Sequence, residues 1–355
     1  MPTSSKTTSK TKASKLQSKW GKMVAGQKKR YRDFMNRRPH RSFRLTRRRD
    51  YTRPLELPGN IAFTAEVTRT VWRYKKTFVL LAAIYVILFA LLVGVQSQDT
   101  YSTLISTLKD TSGEVFTGNW GALGQAGLLF LSIASFGADD TASEAQQIFS
   151  VLIFLLIWLT TVWLLRNLLA GHKVRLRDGL YNSGSPLFAM ALIVLVIAIQ
   201  LIPVALALIG YSAATSSGLL ADGGAVAMLF WIGAALLVIL SMYWITSSLF
   251  AMIIVTLPGT YPYQALRASG DLVLGRRIKI LLRWLWMALA VAIAWIVVLI
   301  PIILLDMGLK SLWPAIEWLP IVPMVTLFMA ALSTVWVSSY VYLLYRKVVD
   351  YVSAA

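Results

Sequence analysis

Two histidines, His40 and His172, and no cysteine make up the whole supply of the side chains that most often bind metals or activate nucleophiles. Thiolate chemistry, disulfides and Cys-ligated metals are thereby excluded. There is no His-Glu-x-x-His helix, and Ser212 in the run Gly210-Tyr211-Ser212-Ala213 has no histidine within its apolar stretch to activate it. The expectation is a protein with no catalytic set, no metal and no cofactor. What remains in the apolar stretches is neutral: Gln200, the adjacent hydroxyl pairs Thr160-Thr161, Ser247-Ser248 and Ser338-Ser339, and the prolines Pro203 and Pro301. A helical proline removes one hydrogen bond and frees the carbonyl four residues earlier, here at Ile199 and Val297. In hydrocarbon that carbonyl must find a partner. Gln200, Pro203, Ser247, Ser248, Pro301, Ser338 and Ser339 are therefore the candidates for a polar groove, with kinks turned inward, or else for helix–helix contacts.

The second kind of chemistry is cationic. Residues 1–53 carry 18 of the 35 Lys and Arg and only two acids, Asp33 and Asp50. The first fifteen residues read as disorder. From Leu16 onward Leu16, Trp20, Met23, Tyr31 and Phe34 recur at helical spacing among the cations, as in a helix that lies on a lipid surface. Lys28, Lys29, Arg30, Arg47, Arg48 and Arg49 are candidate contacts to anionic headgroups. Nucleic acid presents the same phosphates and is the rival partner; a tail that only sets orientation and solubility is the plainer one. A second basic set, Arg276, Lys279 and Arg283, stands at i, i+3, i+7 on one face of a helix opened by Pro262, with Leu266, Val273 and Ile280 on another.

These residues must be held by membrane-spanning helices. Apolar residues form 57% of the chain and charged residues 14%, against roughly 45–50% and 25% in soluble domains. Six stretches are long enough to cross a hydrocarbon core of ~30 Å: Thr77–Gln96, Ile148–Ala170, Leu187–Gly210, Ala225–Leu257, Trp284–Leu305 and Val322–Tyr345. The fold class is all-α, a polytopic bundle of six transmembrane helices in three hairpins with amphipathic lead-in helices. The domain plan is a basic tail (1–53), a linker and amphipathic helix (54–76), a six-helix domain (77–347) and a short C-terminus (348–355). Phe63, Val67, Val71, Tyr74 and Phe78 form the apolar stripe of the first lead-in. Between the first two spans, 121–137 is too short for a certain crossing and is read as re-entrant or interfacial. The glycines at 118, 121, 124 and 127 that lead into it lack the Lys-Ser or Lys-Thr of a phosphate loop. Thr141 and Glu144 are expected to cap the second span.

The run Ala265-Leu266-Arg267, with Ser269, Leu272 and Gly275 and its basic-apolar exit, resembles the multi-pass membrane-domain family attached to some bacterial glycerophosphodiester phosphodiesterases. The resemblance implies a bacterial multi-helix membrane domain; no phosphodiesterase domain is present. An internal repeat accompanies it: Leu201, Ile202, Pro203, Leu206 and Gly210 recur as Leu299, Ile300, Pro301, Leu304 and Gly308 at a constant offset of 98. Three hairpins inserted in one direction would follow. Two function classes remain: a non-enzymatic scaffold whose basic face organises anionic lipid or a protein partner, self-association included, and a facilitator or exporter of an apolar or neutral solute between the hairpins.

Placing the N-terminus in the cytoplasm puts 33 Lys and Arg with 7 Asp and Glu on that side, and 2 with 9 on the other. Each short loop obeys the positive-inside rule separately. With no native cysteine, single cysteines test this directly. Positions 112, 217 and 311 should react with an impermeant thiol reagent on intact cells, and positions 183 and 270 should not; labelling at 183 would make 121–137 a true crossing.

Overall fold

A chain in lipid has no water to satisfy its peptide groups, so its long apolar runs must become helices. In the computed structural model the described residues are 26, 55, 57–94, 143–218, 224–313 and 319–354. The expectations for the basic tail, including Lys28–Arg30 and Arg47–Arg49, and for 121–137 with its glycine series lie outside them. Among the described residues there are nine helices and no strand. They are α1 (Asn60–Arg73), α2 (Lys75–Leu92), α3 (Glu144–Leu169), α4 (Leu176–Asn182), α5 (Leu187–Ser216), α6 (Gly224–Ile254), α7 (Pro262–Val273), α8 (Arg277–Leu312) and α9 (Ile321–Ala354). The six long ones, α2, α3, α5, α6, α8 and α9, are apolar enough to cross a membrane. The chain is a multi-pass integral membrane protein.

The long helices pair in sequence order as antiparallel hairpins, and their hydrogen bonds record it. Between α2 and α3, Tyr74 reaches Leu168, Tyr85 reaches Thr160, and Gln146 reaches Val93, so one index falls as the other rises. In α5 and α6, Gln200 meets Ser248 while Tyr211 lies 5.9 Å from Trp231. In α8 and α9, Arg283 meets Tyr340 while Trp295 bonds Ser333. The short helices α1, α4 and α7 each precede an outgoing helix, so all three stand at one end of the bundle.

Burial is uneven. About half of the spans in α3 and α9 is buried (56% and 50%), against 11% in α5 and in α6. α9 is the hub, packing on α1, α2, α3, α6 and α8. The α1 stripe is buried as the spacing predicts: Phe63 and Val67 are inside, and Phe63 meets Tyr340 of α9 edge-on at 4.8 Å. Trp286 and Trp336 donate to Thr64 and Thr68, and Lys347 pairs with Glu66 at 2.8 Å. The first lead-in thus docks on the third hairpin.

Two local expectations change. The single helix expected from Pro262 into the fifth span is two, α7 and α8. Gly275, at φ +78°, takes a left-handed conformation that L side chains avoid and ends the first of them. The cap of α3 lies two residues on from the Thr141–Glu144 pair. Ser143 Oγ accepts from the Gln146 N–H at 3.4 Å, and Gln146 Oε1 accepts from the Ser143 N–H at 2.9 Å. Glu144 then occupies the first turn, where a carboxylate suits the positive helix end. Helix α9 continues to Ala354.

Gly179 of α4 touches α3 so closely that an added Cβ would meet Leu164 Cδ2 at 2.8 Å and Cγ at 2.9 Å. Leu164 is fully buried and cannot yield. Gly179→Ala should therefore lower the melting temperature in detergent, with an overpacking cost of about 1–3 kcal/mol. Gly270→Ala in α7, where a Cβ meets nothing within 4 Å, should leave melting unchanged or raise it slightly.

Candidate functional site

The candidate groove residues do not form one wall. Gln200 Oε1 accepts from Ser248 Oγ at 2.7 Å and joins α5 to α6. Ser247 bonds back to the Trp244 carbonyl of its own helix at 3.0 Å. Ser338 and Ser339 are buried and both bond the Val335 carbonyl one turn away. Pro203 is half-buried, whereas Pro301 is exposed, as are Ile199 and Val297. Of the seven, only Gln200 and Ser248 are brought together through their side chains. The intrahelical serine bonds are the usual alternative for hydroxyls in apolar surroundings.

The second basic set is more engaged than its spacing indicates. Lys279 Nζ donates to the Leu55 carbonyl at 3.2 Å, and Arg283 Nη2 donates to the Pro58 carbonyl. Arg283 is only 8% exposed, and its guanidinium carbon lies 5.8 Å from the Phe63 ring centre. Arg276, the N-cap of α8, is 4% exposed. Arg283 and Lys279 thus fasten the linker across the start of α8; Arg283 is closed off by it, whereas Lys279 stays exposed. Leu55, itself buried, is the apolar counterpart of that clasp.

Other polar groups escaped the sequence reading. Tyr85 Oη and Thr160 Oγ1 are 3.0 Å apart, and Thr160 Oγ1 and Ser183 Oγ 2.8 Å apart, a buried chain from α2 through α3 to the turn before α5. The Thr160-Thr161 pair signalled one member; nothing in the spacing of Tyr85 and Ser183 marked the other two. Arg166 of α3 donates through Nη1 to the Thr256 carbonyl at 3.1 Å and through Nη2 to the Thr256 hydroxyl. It borders a cavity of about 400 Å³ at the short-helix end, closed by the 182–186 turn and the loop that follows α6. A second cavity of about 380 Å³ lies among α3, α5, α8 and α9 and is mostly apolar, lined by Phe154, Trp158 and Trp295.

Compared with known proteins, the chain matches no family model, no curated protein and no solved structure. Its chemistry must therefore be argued from its own geometry.

The clasp yields a test. Arg283→Leu removes a charge-assisted bond of about 1.5–3 kcal/mol, so limited proteolysis at residues 54–59 should accelerate by at least tenfold while the six spans stay inserted. Unchanged cleavage would mean that Leu55 burial alone holds the linker.

Proposed function

We propose that the chain is a non-enzymatic membrane scaffold whose basic face organises anionic lipid, with a protein partner or a second copy as further cargo. The observation that carries this is the way the polar side chains of the spans are used. Tyr85 with Thr160, Gln200 with Ser248 and Trp295 with Ser333 pair across helix contacts, and the Trp284 indole donates to the Thr246 carbonyl at 3.4 Å. Such pairs fix neighbouring helices; a solute path would need them aligned along one passage. The cationic side chains gather instead at the short-helix end, where Arg166, Lys279 and Arg283 stand with Arg346 and Lys347.

The charge asymmetry of the loops supports placing that end, with both termini, in the cytoplasm of a cell whose plasma membrane holds the protein. The Ala265–Gly275 resemblance supports a bacterial source and a kinship with the phosphodiesterase-linked membrane domains, without their activity. The basic tail adds a polybasic anchor for anionic lipid in this reading; nucleic acid remains its lesser alternative. A second reading, a facilitator for an apolar or neutral solute, is favoured by the apolar cavity between Trp158 and Trp295, which sits between hairpins as such a path would.

Two measurements decide. Gln200→Leu and Pro203→Ala should leave abundance, melting and a host growth or flux phenotype together near wild type, within about 1–2 kcal/mol of stability. Lost flux with unchanged abundance and melting would promote the facilitator. A peptide of residues 16–49 should bind phosphatidylglycerol vesicles, detach as salt rises and ignore neutral vesicles. Tighter binding to RNA at physiological salt would hand the tail to nucleic acid.

A further inference from the structure

The cavity at the short-helix end is assembled from three segments far apart in sequence: the last turns of α3, the turn between α4 and α5, and the Val255–Thr260 loop after α6. Among the described residues Arg166 is the only charged one that lines it, and none of them brings a carboxylate to the cavity wall. The guanidinium is held in place rather than free to swing. Thr256 accepts from it twice, and the Thr256 hydroxyl in turn bonds the Ile253 carbonyl at 2.7 Å. Thr256 occupies two of its five N–H groups and the Tyr342 hydroxyl bonds the guanidinium as well, which leaves two for another ligand.

The wall is equally fixed. Ser183 is buried and tied to Thr160, and Thr260 bonds the carbonyls of Ile254 and Leu257 at 2.9 and 2.7 Å. Asn182 and Ser185 form an exposed polar rim, while Trp163 and Ala189 give an apolar side. Depth follows from the helix: Arg166 is one turn from Leu169, the last residue of α3, or about 5 Å along the axis. A half-buried cation at that level is costly unless an anion reaches it. The planar fork of arginine suits phosphate oxygens, and the headgroup layer supplies phosphate at this height.

We propose that this cavity binds the phosphate of a lipid headgroup, with Arg166 on the phosphate, Asn182 and Ser185 on the polar glycerol side, and Trp163 and Ala189 against the upper acyl chain. The proposal rests on the lipid-organising reading and gives it a specific seat. A free phosphate ester offers the same oxygens, and the test separates the two sources.

The full chain in detergent is examined by native mass spectrometry with phosphatidylglycerol and, separately, phosphatidylcholine. The wild type should retain phosphatidylglycerol preferentially. Arg166→Gln should lower that occupancy by about tenfold, in line with one charge-assisted bond, with Arg166→Lys between the two. Arg267→Gln, an exposed cation of α7, should change it by less than about twofold. Because Arg166→Gln also removes the Thr256 bonds, Ala189→Phe is the second variant: it fills the cavity, leaves those bonds intact and should lower occupancy as well. Millimolar inorganic phosphate that fails to displace the lipid assigns the site to lipid; displacement assigns it to a soluble phosphate and overturns the lipid proposal. Wild-type occupancy in a well-folded Ala189→Phe overturns the site even if Arg166→Gln does not fold, and leaves the lipid-organising reading standing. A wild type with no preference for phosphatidylglycerol overturns both.

Discussion

The burial of Phe63 and Val67 of α1 against α9 is the contact on which the rest of the bundle depends, because it joins the beginning of the described helices to their end. An amphipathic helix must cover its apolar stripe, and α1 does so on the third hairpin although it is chained to the first. The other lead-ins obey the same rule: α4 packs on α3 of the first hairpin, and α7 on α6 of the second. Each outgoing helix also touches two return helices, α2 with α3 and α9, α5 with α6 and α3, and α8 with α9 and α6. Every hairpin is thus gripped by the lead-in of the next, and α1 closes the ring.

Lipid then decides where polar atoms can stand. Hydrocarbon offers helices no hydrophobic drive to associate, so packing and a few interhelical bonds must hold them, each worth roughly 0.6 kcal/mol and at most about 1.7. The three hairpins each carry at least one: Tyr85 with Thr160, Ser248 with Gln200, Trp295 with Ser333. Such bonds are too weak to make the fold alone, which is why the close packing of Gly179 on Leu164 and the aromatic contacts around Tyr340 and Phe250 accompany them. The lightly buried α5 and α6 place most of their surface in lipid, where exposed leucine and isoleucine cost nothing.

The sequence disclosed which faces are apolar and how long the spans are, since hydropathy and periodicity report on solvent. The Phe63–Phe78 stripe and Pro262 at the first turn of α7 were legible for that reason. It did not disclose which neighbour covers a face. Nothing in the spacing of Phe63 and Val67 names α9 as their partner, and nothing in that of Lys279 and Arg283 names the Leu55 and Pro58 carbonyls. The break at Gly275 was hidden because Val273 and Ile280 remain buried on both sides of it, so the apolar pattern runs on through a change of helix. Of the candidate groove residues, only Gln200 and Ser248 carried a signal that the geometry turns into a side-chain contact.

Arg166 and Arg283 show why residue type alone could not settle the site. Both are arginines near a helix end on the short-helix side of the bundle, Arg166 at the C-terminal end of α3 and Arg283 at the N-terminal end of α8, and both use Nη atoms on backbone carbonyls of a loop. Arg283 is sealed by the linker, the Phe63 ring and Tyr340, so an outside anion has no way to reach it without displacing the clasp. Arg166 has the open cavity beside it, walled by hydroxyls and, among the described residues, by no carboxylate. A cation closed off by the chain around it, as Arg283 is even with its Nη1 unpartnered among the described residues, contributes to holding the chain together. A cation fixed at one edge of a polar cavity is set to receive a ligand. The arrangement around each guanidinium, rather than its position in the sequence, therefore separates the structural arginine from the binding one.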